Sequence, residues 1–180
     1  VSGFHTDPVG LLLSHRADWA IVSDVEQNDD VLFKPLFSYE MVGICSKDHP
    51  LANKEVWQAE DFAEETWVTY PVPDDMLDLY RQVLKPKGIN PPRRTTELTI
   101  ALIQLVASRR GIATVPYWAA LPYLEKGYVV ARKITEEGLY SNLYAAIRKE
   151  DANLAYIEDF HQTVKAQSFS TLPGLSVLEL

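Results

Sequence analysis

Apolar and polar positions along this chain fall into blocks whose period switches between helix and strand. The stretch from Thr99 to Tyr117 sets the frame. Ile100, Ala101, Leu102, Ile103, Leu105, Val106 and Ala107 leave little polar surface over two turns. A helix apolar on nearly every side is enclosed by protein. Arg109 and Arg110 close it where cations favour the helix dipole, and Gly111 fits the left-handed position just past its end. Ile112 to Val115 is then a run of strand formers ended by Pro116, and Arg93 to Leu98 reads as a strand upstream. Strand, helix and strand form a right-handed βαβ unit with parallel strands. The helix N-terminus, at Thr99, thereby comes to the carboxyl end of a strand, where open α/β sheets bind small molecules.

The rest of the chain alternates in the same way. Asp7 and Pro8 start a short helix as N-cap and first helical residue, with Val9, Leu12 and Leu13 as its buried stripe and an end near His15. Trp19 to Val22 is a short strand, followed by a polar loop. Leu32 to Phe37 and Tyr39 to Cys45 read as two strands, and Asp48-His49-Pro50 ends the second. Asp61 to Glu65 is a helical turn and Trp67 to Tyr70 a strand. Asp74 or Asp75 caps a helix whose Met76, Leu79, Tyr80, Val83 and Leu84 keep the helical period, until Pro86 and Gly88 stop it. A helix over Trp118 to Lys126, strands over Val129 to Ile134 and Tyr140 to Ile147, and a helix from Leu154 to Gln167 with Ile157, Phe160 and Val164 inward complete the pattern. The tail from Phe169 is predicted to be extended. This alternation predicts an α/β fold. The long runs near Met41 to Cys45 and Tyr140 to Ile147 suggest two strands passing between two small lobes, with a cleft hinged there.

Composition narrows the function. The 180 residues suffice for one domain or two small lobes, and a formal net charge of −8 argues against holding nucleic acid by its phosphates. The partner is a small molecule or another protein. The single cysteine, Cys45, sits in an apolar strand, excludes an intrachain disulfide and fits a reducing compartment. No run approaches the roughly 18 apolar residues of a membrane span. The four histidines, His5, His15, His49 and His161, show no metal-ligand spacing. Carboxylate pairs lie in polar turns, and no phosphate-cradling glycine loop or acid–base pair is evident. Neither an enzyme nor a cofactor is therefore expected. The chain opens on Val-Ser-Gly-Phe without an initiator methionine, and reads as an internal fragment beginning at the tail of a strand.

Three stretches carry a family likeness. They are Arg16 to Ile21, Leu36 to Ala52 with its Asp-His-Pro-Leu-Ala, and Val106 to Pro116 with its Gly-Ile-x-x-x-Pro. In this order and spacing they resemble the effector-binding domain of LysR-type transcriptional regulators, over Val1 to about Ser168. Within that family, Val22 to Asp24, Tyr70 to Val72, Thr99 to Val106 and Gly138 to Ala146 are similar to the regulators of methionine biosynthesis that respond to homocysteine. The resemblance implies a two-lobed type 2 periplasmic-binding-protein-like fold. Lobe I would comprise residues 1–47 and 148–180, lacking its initial strand and helix, and lobe II residues 48–147. It also implies a homo-oligomer in the full-length protein, DNA contact only through an N-terminal domain absent from this chain, and a cytoplasmic location. Without the missing elements of lobe I, the family's side-by-side dimer is not expected. A stand-alone periplasmic-type solute-binding protein, or an enzyme, on the same fold are the alternatives.

The candidate effector site follows from strand and helix ends. The hydroxyl of Thr99 and the free amides after it suit a small anion or zwitterion, or Thr99 is simply an N-cap. Ser23 and Asp24 end a buried strand. Asp24 could pair with the ammonium of an amino acid such as homocysteine, or cap a turn. Tyr70 and Val72 suit a small thiol-bearing side chain, or pack the core. Pro116 closes the βαβ unit, with Tyr117 either covering the pocket or packed at the surface. Phe4 and His5 end the first strand and face the cleft in this reading.

Overall fold

Asp7 and Pro8 start the first helix as their chemistry dictates: the Asp7 carboxylate accepts the Gly10 N–H at 2.7 Å, and Pro8 takes the first helical position. The structure is a computed structural model whose described residues are 7–23, 25 and 28–178. Its helices are α1 (Pro8–Leu13), α2 (Thr99–Ala107), α3 (Tyr117–Glu125) and α4 (Ala155–Thr171). Its strands are β1 (Ala20–Val22), β2 (Val31–Cys45), β3 (Val56–Trp57), β4 (Trp67–Thr69), β5 (Arg93–Thr95), β6 (Ile112–Pro116), β7 (Val130–Ile134), β8 (Leu139–Arg148) and β9 (Leu175–Ser176). They form two compact units, Val1–Tyr39 with Ser141–Leu180, and Glu40–Tyr140. β2 and β8 each contribute residues to both.

In the first unit β1 runs antiparallel to β8, with Ala20 opposite Ala146 and Val22 opposite Tyr144. Leu12, Val22, Val31 and Ala146 are buried together. α1 stops at Leu13, before the predicted His15, because the Ser14 hydroxyl donates to the Gly10 carbonyl at 2.7 Å and His15 turns left-handed. The two strands expected on either side of Ser38 are one continuous β2. Ser38 does not interrupt it because its hydroxyl donates to the Ser141 carbonyl, at 3.3 Å. Arg148, at the end of β8, is buried and fully engaged. Its Nη1 donates to the carbonyls of Leu12 (2.8 Å) and Ala17 (2.6 Å), its Nη2 to Asp18 (2.6 Å) and its Nε to Asp151 (2.5 Å).

α4 runs past the predicted Gln167 to Thr171, and its inward face is rotated from the expected one. Ile157 and His161 are buried, whereas Phe160 is 48% exposed and meets Trp19 edge-on at 5.1 Å. Positions i and i+4 share a helix face as well as i and i+3 do, so apolarity alone chose the wrong neighbour. The Nδ1 of His161 is buried without a hydrogen-bond partner. Burial first, then the Lys34 ammonium and more weakly Lys165, push this imidazole below its usual range, with Glu158 opposing. The unfolded chain therefore binds a proton here that the folded one refuses. The stability due to neutral His161 is present above the unfolded value of about 6.5 and is lost as pH falls through the lower folded value. Urea unfolding should show a lower midpoint at pH 5 than at pH 7.5, with a smaller drop in His161→Leu. An equal drop in both would remove His161 from the account.

In the second unit β4 lies parallel to both β5 and β6, pairing Trp67 with Arg93 and with Ile112. The expected βαβ unit is therefore β5–α2–β6 with β4 between its strands. Residues Met41 to Cys45 of β2 pair antiparallel with β6 and β7. α2 buries Leu102, Ile103 and Val106 against Val42, Ile44, Val68, Ala113 and Val115. A second cluster holds Trp57, Phe62, Trp67, Leu79, Leu84, Ile112 and Ile134. Cys45 belongs to it, fully buried, and burial pushes its thiol up to about 11. It is a core residue without nucleophilic character.

Two predicted helix ends differ. Residues 74–87 are not one regular helix: a 3₁₀ turn at Asp74–Met76 and a π-helical turn at Tyr80–Leu84 flank a break at Leu77. Leu77 and Leu79 are both buried. In a regular helix they would point about 200° apart. Neither Asp74 nor Asp75 caps. Asp74 pairs with Arg93, whose guanidinium lies 5.1 Å over Trp67 and 5.0 Å over Tyr80, and Asp75 pairs with Lys85 at 2.7 Å. At the end of α2 the left-handed residue is Arg109, not Gly111. Its N–H donates to Val106 and that of Arg110 to Leu105, a Schellman closure. Gly111 is needed for a different reason, the approach of the Thr66 carbonyl, which would lie 2.2 Å from a Cβ.

Candidate functional site

The end of β4 and the start of α2 are tied together by backbone. Thr96 N–H donates to the Thr69 carbonyl at 3.0 Å, so the loop entering α2 is held beside the residue that follows β4, Tyr70. Thr99 is not the N-cap. It is the first helical residue, Leu98 occupies the cap, and no side chain caps the helix. Leu102 N–H pairs with the Leu98 carbonyl at 2.9 Å. The amides of Thr99, Ile100 and Ala101 precede that bond and find no carbonyl within the helix. The first turn carries no acidic residue, so nothing on it offsets the positive end of the helix dipole.

The Thr99 hydroxyl, freed from capping, meets the Tyr70 hydroxyl at 2.8 Å, both side chains being half-buried. Burial pushes the Tyr70 phenol above its usual range and the bond to Thr99 opposes this, so the phenol keeps its proton at neutral pH. The two hydroxyls hold each other beside the first turn of α2. Leu98 and Ile100, 62% and 57% exposed, flank Thr99 with apolar surface. The first-turn amides and the helix dipole, with the Thr99 hydroxyl beside them, can hold an anion. Nucleophilic attack would need a base to take the hydroxyl proton.

Val72 is half-buried against the cluster of Trp57 and Leu79. Pro116 is the last residue of β6, opposite Met41, and Tyr117 opens α3 and packs on the cluster under α2. Ser23 follows β1 in the first unit, half-buried. Phe4, His5 and Asp24 lie outside the described residues. His49 has a structural role: its Nδ1 accepts the Leu51 N–H at 3.2 Å, while Nε2 lies 3.3 Å from Glu65. The Tyr70–Thr99 bond spans 29 positions and has no sequence signal. Among the described residues no group of three or more His, Cys, Asp or Glu could hold a metal ion, and no helix is long and apolar enough to cross a membrane.

Residues 1–168 match the LysR substrate binding domain. The HTH-type transcriptional regulator MetR of Haemophilus influenzae is 85% identical over 180 residues, 100% of this chain and 58% of that protein. Its namesake from Escherichia coli is 36% identical over 178 residues, covering 99% of this chain and 56% of that one. The chain thus spans little more than half the length of these relatives. The regulatory domain of MetR, a LysR family regulator from N. meningitidis, superposes with a TM-score of 0.92 at 65% identity, covering 99% of this chain and 83% of that one. The fold is accordingly the type 2 periplasmic-binding-protein-like one, and these relatives are named as transcriptional regulators, not enzymes. Motif, identity and fold converge, and the chain belongs to the LysR substrate binding domain family.

Proposed function

We propose that this chain is the effector-sensing domain of a LysR-type transcriptional regulator of methionine biosynthesis. Its effector is a small amino acid, homocysteine by resemblance, whose carboxylate sits at the N-terminus of α2. The observation that carries this reading is the uncapped helix start with the Tyr70–Thr99 hydroxyl pair at 2.8 Å. A carboxylate there accepts the first-turn amides and the Thr99 hydroxyl, and the dipole favours its charge. By resemblance alone, Ser23, Asp24, Phe4, His5, Val72 and Pro116 are further effector contacts. DNA binding and homo-oligomerisation belong to the full-length regulator. The effector acts by favouring one arrangement of the regulator over another, which requires different affinities for the two.

Calorimetric titration of the full-length regulator with homocysteine tests the site. Thr99→Val keeps the side-chain shape and removes a charge-assisted hydrogen bond worth about 1.5–3 kcal/mol, so affinity should fall roughly 10- to 100-fold. Tyr70→Phe leaves Thr99 its own proton and should lose less. Unchanged affinity in Thr99→Val removes α2 from the site.

A further inference from the structure

The family match ends at residue 168, yet the residues after it are built into the structure. α4 continues to Thr171, and Leu172-Pro173-Gly174-Leu175 then reverses the chain. Pro173 in second place and Gly174 at φ 77° in third are what a type II turn requires. The turn lays Leu175 and Ser176 antiparallel on β2, opposite Tyr39 and Ser38. Those are the last β2 residues of the first unit, since Glu40 belongs to the second. Phe169 meets Phe37 edge-on at 6.2 Å, and Phe37 meets Tyr39 at the same distance, so the base of the tail packs along the same stretch of strand. Leu172, Leu175 and Leu178 are half-buried, while Pro173, Gly174, Ser176 and Val177 between them are exposed.

This is strand addition within one chain. It joins two residues to a strand of fifteen, so the hold is local and reversible. We propose that residues 172–178 form a detachable strap that docks on β2 at Ser38 and Tyr39 and fixes its backbone there. The docked strap keeps that stretch of β2 rigid, and its release frees it. The strap does not depend on which effector the domain binds.

Hydrogen exchange on two full-chain variants tests it. Leu175→Pro removes the N–H and stiffens the pairing residue, and Gly174→Val forces a branched residue to φ 77°. In both, the segment 37–40 should exchange at least tenfold faster, with 67–69 of β4 and 20–22 of β1 as in the wild type. Unchanged exchange at 37–40 in both variants overturns the strap. Acceleration throughout the first unit overturns it too, because the tail would then be an inseparable part of that core.

Discussion

Gly111→Ala will lower the stability of the domain by about 3 kcal/mol or more, read as a fall in the urea midpoint with an unchanged slope. Gly111 has φ 145°, a conformation that L side chains rarely adopt. A Cβ there would lie 2.2 Å from the Thr66 carbonyl oxygen and 3.0 Å from a Val68 methyl. The oxygen belongs to backbone and cannot swing aside. It also accepts the Ile112 N–H at 2.9 Å, where β6 begins to pair with β4. Relief of the clash would cost that bond and pull at the sheet on which α2 packs. A midpoint within experimental error of the wild type would show that the loop from α2 to β6 yields more readily than its geometry implies.

Arg148→Ala should cost about 3–5 kcal/mol, the range for breaking a buried ion pair by removing one partner. The side chain is 6% exposed and ties together the end of α1, the entry to β1 and the turn after β8. Truncation leaves the Leu12 and Ala17 carbonyls and the Asp151 carboxylate without their donor. Arg148→Lys should recover only a small part, because one ammonium cannot reach three directions at once. The check is thermal or urea unfolding of both variants; near-complete rescue by lysine would mean that charge, not the guanidinium fork, matters here.

Local chemistry was the legible part of the sequence. Asp7-Pro8 read correctly because a capping carboxylate acts within three residues. The apolar run of β6 reads correctly because Ile112 to Val115 are all buried. α2 is a helix as expected but is not enclosed, since it buries Leu102, Ile103 and Val106 and leaves Ile100 57% exposed. Ser38 misled because a hydroxyl between apolar runs looks like a break, and its partner, Ser141, is 103 positions away. Phe160 is the larger apolar side chain, yet the less apolar His161 is the one that faces inward. Gly111 was placed by its residue type, although the left-handed turn fell to Arg109 and the glycine answers to Thr66, a residue from another element. Strand and helix ends single out Thr99 and Tyr70 as separate candidates. Their bond has no such signal, since nothing in local sequence says which hydroxyl another will meet.

The division of the chain also sets the order in which it can fold during synthesis. The unit Glu40–Tyr140 is continuous, so the ribosome releases it whole. The other is split: its first piece ends at Tyr39 and its second begins at Ser141, so the first waits for about a hundred residues, on the order of 5–20 s of elongation. When the continuous unit has formed, the chain on either side of it is already gathered, as the contact of Ser38 with Ser141 requires. The entropy of closing that long loop is then largely settled before the split unit assembles. Until Arg148 emerges, the nascent chain lacks the side chain that ties the end of α1 to the entry to β1.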